Sequence, residues 1–134
     1  IVRALVEEFD CGGGDLSSWT RPLIGGDALT GDVADMMRRV GVSPIHVWGM
    51  TETSGAGTVA TPDCGAPTGS LGAPFPTWTC ASWPTTSARP TQARVGEIWV
   101  RGPGVVSGEE WLHTGDLATR DDDGWLHLVG ALTG

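Results

Sequence analysis

Residues 45–52 read IHVWGMTE, an apolar run that passes directly into a polar loop. The run from Ile45 to Trp48 predicts a buried strand, and Trp19 to Ile24 predicts an earlier one. Between them, apolar residues from Val33 to Val40 recur at helical spacing. This order of strand, helix and strand predicts a parallel βαβ unit, whose functional groups lie at the carboxyl ends of the strands.

The helix of this unit has recognisable ends. Thr30 is a residue type that caps helix N-termini, and Gly41 can adopt the left-handed conformation that ends many helices. A separate amphipathic pattern from Ile1 to Phe9 predicts another helix, which ends before a glycine-rich stretch.

The second half of the chain has a different pattern, in which prolines separate short segments. Val95 to Arg101 alternates like a half-buried strand, and residues 116–120 and 125–129 flank the turn sequence DDDG. The predicted fold is therefore α/β over residues 1–60, followed by antiparallel β structure over residues 61–134.

Composition excludes several classes of protein. A chain of 134 residues suffices for one domain, and its net charge of -8 argues against nucleic acid as a partner. All eight basic residues are Arg, so no mechanism that needs a lysine from this chain is possible. No apolar run reaches the roughly 20 residues that a transmembrane helix needs. Three widely spaced cysteines, Cys11, Cys64 and Cys80, form no disulfide pattern, which predicts a reduced, cytoplasmic protein.

The loop after the predicted strand at Trp48 has residues suited to a magnesium nucleotide. An indole ring can stack on a base, the Thr51 hydroxyl can hydrogen-bond a phosphate oxygen, and the Glu52 carboxylate is a hard oxygen ligand for Mg²⁺. The alternative is an ordinary solvated loop, since most polar loops after strands have no ligand.

Several ordered segments resemble the motifs of one enzyme superfamily, the adenylate-forming enzymes. That superfamily includes acyl-CoA synthetases, firefly luciferase and the adenylation domains of non-ribosomal peptide synthetases. The matching segments are DLSS at 15–18, LIGGDAL at 23–29, HVWGMTETS at 46–54, GSLGAP at 69–74, GEIWVRGP at 96–103, WLHTGD at 111–116 and DGWL at 123–126. The chain looks like a fragment of the large N-terminal domain of such an enzyme.

The resemblance implies roles for individual residues. It implies that Thr51 contacts the α-phosphate, that Glu52 binds Mg²⁺, and that Asp116 accepts hydrogen bonds from the ribose hydroxyls. The residues that it assigns to the nucleotide site are Gly25, Gly26, Asp27, Trp48, Gly49, Met50, Thr51 and Asp116. Of these, Trp48 is expected against the adenine and the two glycines at its border.

The sequence also departs from the family pattern. The lysine-bearing phosphate loop and the mobile C-terminal domain of the family are absent from these 134 residues. Ala131 stands where the family has an arginine that holds the ribose, and the segment before Trp111 is short. The isolated chain is therefore expected to be inactive.

The resemblance implies part of an ATP-dependent carboxylate–CoA ligase that uses ATP, Mg²⁺ and coenzyme A. His46 and Trp48 are similar to the residues of medium- and long-chain fatty acyl-CoA ligases, which favours a fatty acid as the carboxylic acid. Two alternatives stay open. One is a non-catalytic remnant that binds nucleotide weakly or acts as an interaction module, and the other is the adenylation domain of a peptide synthetase.

Overall fold

The computed structural model describes residues 1–12, 14–27, 29–74, 79–82, 95–108 and 110–131, with residues 79–82 as backbone only. Two helices, eight strands and two short 3-10 helices occur in this part of the chain. In order they are α1 (Val2–Asp10), β1 (Leu23–Ile24), α2 (Gly31–Arg39), β2 (Ile45–Trp48), a 3-10 helix (Thr51–Thr53), β3 (Thr58–Ala60), a 3-10 helix (Pro62–Cys64), β4 (Ala73–Pro74), β5 (Thr79–Ser82), β6 (Val95–Arg101), β7 (Leu112–Arg120) and β8 (Leu126–Ala131). None of the helices within the described ranges is long and apolar enough to cross a bilayer.

The first sheet has the strand order β1-β2-β3-β4. Strands β1 and β2 are parallel and joined by α2, which confirms the predicted βαβ unit, while β3 and β4 add antiparallel strands. The strand predicted from Trp19 is shorter than expected, because Trp19 N donates to Leu16 O in a turn. Pro22 then has no N–H for a ladder, so regular pairing begins at Leu23.

The ends of α2 were predicted correctly, although one of them is stabilised differently. Thr30 is the N-cap residue, but its hydroxyl donates to the Asp32 carboxylate instead of accepting from the helix backbone. At the other end Gly41 has φ +80°. Its N–H donates to Arg38 O and the Val42 N–H donates to Met37 O, both at 3.0 Å, as in a Schellman motif.

The second sheet is entirely antiparallel, with the order β5-β6-β7-β8, as predicted for this half of the chain. The hairpin between β7 and β8 pairs Arg120 with Leu126 around the DDDG turn. In that turn Asp121 N donates to Trp125 O and Gly124 N donates to Asp121 O, each at 3.0 Å.

One apolar cluster joins the two sheets. Its members come from the carboxyl end of β2, the segment before β4, one face of the second sheet and the segment between β6 and β7. They are Trp48, Leu71, Ile98, Val100, Val105, Ala118 and Leu126. Leu71 N also donates to Leu126 O at 2.7 Å, which ties the sheets together through the backbone. Trp48, the last residue before the polar loop, is therefore part of the core.

Candidate nucleotide site

Two glycines shape the chain where β1 ends. A Cβ added to Gly25 would lie 2.8 Å from Val47 O, so only glycine allows this turn to approach β2 so closely. Gly26 has φ +82°, a conformation that favours glycine, and the space around it is open. With the exposed Asp27, these residues form an accessible turn beside the carboxyl end of β2.

The loop after β2 folds back on itself. A Cβ on Gly49 would lie 2.6 Å from Gly55 O, so glycine is required there as well. Inside the loop, Met50 N donates to the buried Thr53 hydroxyl at 2.9 Å, and that hydroxyl donates to Met50 O at 3.0 Å. This arrangement turns the side chains of Thr51 and Glu52 outward, where both are exposed.

Two hydrogen bonds join the same loop to the segment between β6 and β7. Val106 N donates to Glu52 O, and the Ser54 hydroxyl donates to Gly104 O, each at 2.8 Å. Ser54 adopts φ +52°, which is uncommon for a residue other than glycine and is held by its surroundings. The position of Glu52 thus depends on the segment between β6 and β7.

Asp116, predicted to hold the ribose, is in direct contact with Trp48. Trp48 Nε1 donates to Asp116 Oδ2 at 2.8 Å across 68 positions of sequence. The Asp116 backbone is also fixed, because its N–H donates to Thr114 Oγ1 at 3.1 Å and that hydroxyl donates to Ile98 O at 2.7 Å. Among the described residues, no group donates a hydrogen bond to the other carboxylate oxygen, Oδ1 of Asp116.

Trp48 lies mainly in the core. Its exposed fraction is 7%, and its six-membered ring presses on Gly57, where an added Cβ would lie 2.5 Å from Cζ3. Stacking of this ring on adenine therefore stays a prediction. Gly57 was missed in the sequence analysis, because the strand that follows it was not predicted and its contact with Trp48 is visible only in the folded chain.

Glu97 is a second residue whose role the sequence did not reveal. Its Oε2 accepts from Trp99 Nε1 at 2.7 Å, and its Oε1 accepts from Gly115 N at 2.9 Å. The hydrogen bond from Trp99 is the main cause that lowers the pKa of Glu97 below its usual value, so this carboxylate stays charged. Because Gly115 directly precedes Asp116, Glu97 fixes the backbone at the site.

Ala131, which stands in place of an expected arginine, pairs with Asp116 in the register of β7 and β8. Directly opposite residues in an antiparallel pair have their Cβ atoms about 5 Å apart. The position is therefore as close to Asp116 as a ribose-binding side chain would need, but it carries only a methyl group.

The residues present fit a magnesium ion only together with a nucleotide. Within the described part of the chain, no group of three or more His, Cys, Asp or Glu side chains could hold a metal ion. Glu52 is a single exposed carboxylate. Mg²⁺ commonly binds through one or two carboxylates plus the phosphates of a substrate, and Glu52 can supply one such ligand.

Comparison with known proteins gives consistent matches. The sequence profile of the family described as "AMP-binding enzyme" matches residues 1–108. The chain is 31% identical to 4-coumarate–CoA ligase-like 6 of Oryza sativa subsp. japonica, covering 98% of this chain and 25% of that protein. It is 34% identical to the long-chain-fatty-acid–CoA ligase of Yersinia pestis, covering 61% of this chain and 17% of that protein.

The fold is also found in solved structures. The O-succinylbenzoate coenzyme A synthetase of Bacillus subtilis, in complex with ATP and magnesium ion, has a TM-score of 0.74 at 26% identity. The match covers 97% of this chain and 30% of that one. The chain thus spans about a quarter of the length of the relatives it matches, and it belongs to the adenylate-forming family of AMP-binding enzymes.

Proposed function

We propose that this chain is part of the nucleotide-binding domain of a carboxylate–CoA ligase that activates a fatty acid. The observation that carries the proposal is the hydrogen bond between Trp48 and Asp116. It brings together the two motifs that the family resemblance assigns to one nucleotide, at the carboxyl end of β2, where α/β folds bind their ligands.

Each residue of the site has a chemical task in this proposal. Oδ1 of Asp116 accepts a hydrogen bond from a ribose hydroxyl, and the exposed Thr51 hydroxyl donates to an α-phosphate oxygen. The Gly25–Gly26 turn leaves room for the edge of the adenine. Glu52 contributes one ligand to Mg²⁺, whose charge, when the ion is bound, offsets that of the phosphates.

The proposed reaction has two steps. A carboxylate oxygen attacks the α-phosphorus of ATP, pyrophosphate leaves, and an acyl-adenylate forms. The thiol sulfur of coenzyme A then attacks the acyl carbon, its proton passes to a base or to solvent, and AMP leaves as the thioester forms. Such phosphoryl chemistry depends mainly on positioning and on charge stabilisation, and this chain supplies the positioning of the nucleoside.

A fatty acid is the favoured acyl group because Trp48 follows the pattern of fatty acyl-CoA ligases and because a long-chain ligase is among the relatives. His46 adds less support. It is 4% exposed and its Nδ1 lies 2.9 Å from Ser70 O, so its ring makes a buried hydrogen bond within the protein and is not available to a ligand.

A second candidate function is a nucleotide-binding remnant without catalysis. The observation that favours it is the neutral Ala131 opposite Asp116, where a cation would assist the ribose and phosphates. Both functions require binding of AMP or Mg-ATP, and they differ in whether an acyl-adenylate is recognised.

A cytoplasmic location is part of the proposal. Among the described residues, Cys11 and Cys64 are free and exposed thiols, which suits a reducing compartment. Alkylation of intact cells, followed by mass spectrometry of these two cysteines, tests it: both should be reduced.

The proposal is tested by calorimetric titration of the chain with AMP and with Mg-ATP. Asp116→Ala should weaken both ligands about tenfold, while Glu52→Ala should weaken Mg-ATP but leave AMP without magnesium unchanged. Asp122→Ala, an exposed acidic residue of the hairpin turn, is the matched control. Absence of AMP binding by the wild-type chain would refute both functions.

Acyl specificity is tested with stable acyl-sulfamoyl-adenosine analogues of the intermediate. The ligase proposal expects the decanoyl analogue to bind more tightly than both AMP and the 4-coumaroyl analogue. Equal binding of all three would favour the remnant.

A further inference from the structure

We infer that Trp48 is a positioning residue that acts through Asp116, an inference that rests on the proposed nucleotide site. Its indole N–H holds Oδ2 of Asp116 and thereby aims Oδ1 at the ribose. This role differs from stacking on adenine, because it uses the edge of the indole ring and not its face.

The donor in this contact is fixed in place. An indole N–H can only donate, and a buried one requires an acceptor. The ring that carries it is 7% exposed and belongs to the same buried apolar cluster as Ile98 and Leu126. Since the ring cannot move freely, its N–H defines where one oxygen of Asp116 must lie.

The acceptor is otherwise free to rotate. The hydrogen bonds through Thr114 fix the backbone of Asp116, but among the described residues Trp48 Nε1 is the one group that holds its carboxylate. Without the indole donor, the carboxylate can turn about its side-chain bonds and lose the orientation that a ribose hydroxyl needs.

Gly57 sets the position of the indole ring from the opposite edge. A Cβ at this residue would lie 2.5 Å from Cζ3 and 2.8 Å from Cε3 of Trp48, while Gly57 N donates to Trp48 O at 2.7 Å. A methyl group at Gly57 must therefore push the ring, and with it the N–H that Asp116 accepts. Gly57 is therefore also a positioning residue, which acts on Asp116 through the indole ring of Trp48.

The experiment compares the affinity of the chain for AMP with its affinity for 2′-deoxy-AMP and 3′-deoxy-AMP. The wild-type chain should prefer AMP by about tenfold over at least one deoxy analogue, as expected for a hydrogen bond to a charged group. Trp48→Phe keeps an aromatic ring but removes the donor. It should reduce this preference to below about twofold, while changing the affinity for the deoxy analogue less than threefold.

A purely structural role for Trp48 would weaken AMP and its deoxy analogues equally, so an unchanged preference in Trp48→Phe overturns the inference while leaving the nucleotide site intact. If the wild-type chain binds no AMP, the proposed function fails first. Gly57→Ala guards against misfolding of Trp48→Phe and should lower the same preference. Gly31→Ala is the control, because a Cβ at this position meets nothing within 4 Å. It should leave the preference for AMP over the deoxy analogues unchanged.

Discussion

Asp116 and Ala131 face each other directly across the antiparallel pair of β7 and β8. Asp116 presents a carboxylate that Trp48 orients, and Ala131 presents a methyl group at a position where a longer side chain could reach the same ligand. In the proposed nucleotide site, the carboxylate assigned to the ribose is therefore held by a hydrogen bond, and the residue opposite it carries no positive charge.

Restoring a cation at Ala131 should strengthen nucleotide binding. We expect Ala131→Arg to raise the affinity for Mg-ATP about threefold to tenfold, because it adds a positive charge beside the site in a chain of net charge -8. The measurement is calorimetric titration at low salt, and the gain should shrink in 0.5 M NaCl. Ala131→Gln is the neutral control of similar length, and equal affinity of the two variants would contradict the prediction.

The close approach of Gly25 to β2 should make this residue intolerant of a side chain. Gly25→Ala places a Cβ 2.8 Å from Val47 O, a backbone atom, so the two strands must separate. We expect the free energy of unfolding in urea to fall by about 1–3 kcal/mol. Gly31→Ala, in open space at the start of α2, should be neutral or slightly stabilising, and similar losses in the two variants would show that crowding is not the cause.

Asp32 should make the stability of the helical region depend on acid pH. The hydrogen bond from Thr30, followed by that from Arg3, lowers the pKa of Asp32 to about 2. Its folded-state pKa lies below its unfolded value of about 3.9, so its contribution is complete above pH 4 and is lost as the pH falls toward 2. In unfolding experiments followed by circular dichroism, the free energy of unfolding of Asp32→Asn should fall less than that of the wild-type chain between pH 4 and pH 2. The same acid profile in both proteins would contradict this prediction.

Exposed apolar residues at sheet edges should make the isolated chain prone to association. Leu23 on β1 is 71% exposed and Val129 on β8 is 56% exposed, and both strands lie at the edges of their sheets. Unpaired, apolar strand edges pair readily with other chains. We expect Leu23→Lys to reduce concentration-dependent light scattering. Leu5→Lys makes the same chemical change on α1, away from any sheet edge, and should reduce scattering less.

Sequence periodicity and turn residues predicted the order of the main elements. The βαβ unit, the left-handed Gly41 and the hairpin around DDDG were all predicted from local patterns, because each depends on residues close in sequence. Strand β3 was not predicted, because three residues between two glycine-containing loops give too short a pattern. Its pairing with β2 is set by tertiary contact.

The candidate site also contains features that local sequence patterns could predict and features that they could not. Sequence motifs identified Trp48 and Asp116 separately as candidate site residues. No sequence pattern shows that the indole N–H donates a hydrogen bond to a carboxylate 68 residues away. Gly57 and Glu97 were missed for the same reason. Their roles exist only through partners on other strands, Trp48 in one case and Gly115 in the other.

The isolated chain should not catalyse adenylation. Charge develops on the transferring phosphate and on the departing pyrophosphate, and loss of one preorganised donor commonly lowers the rate by about 10²–10³. This chain contains no lysine, and Ala131 gives no positive charge opposite Asp116. We therefore expect no carboxylate-dependent exchange of labelled pyrophosphate into ATP above background with decanoate, even where Mg-ATP binding is measurable. Exchange that Glu52→Ala abolishes but Asp122→Ala retains would show that these 134 residues hold a complete catalytic site.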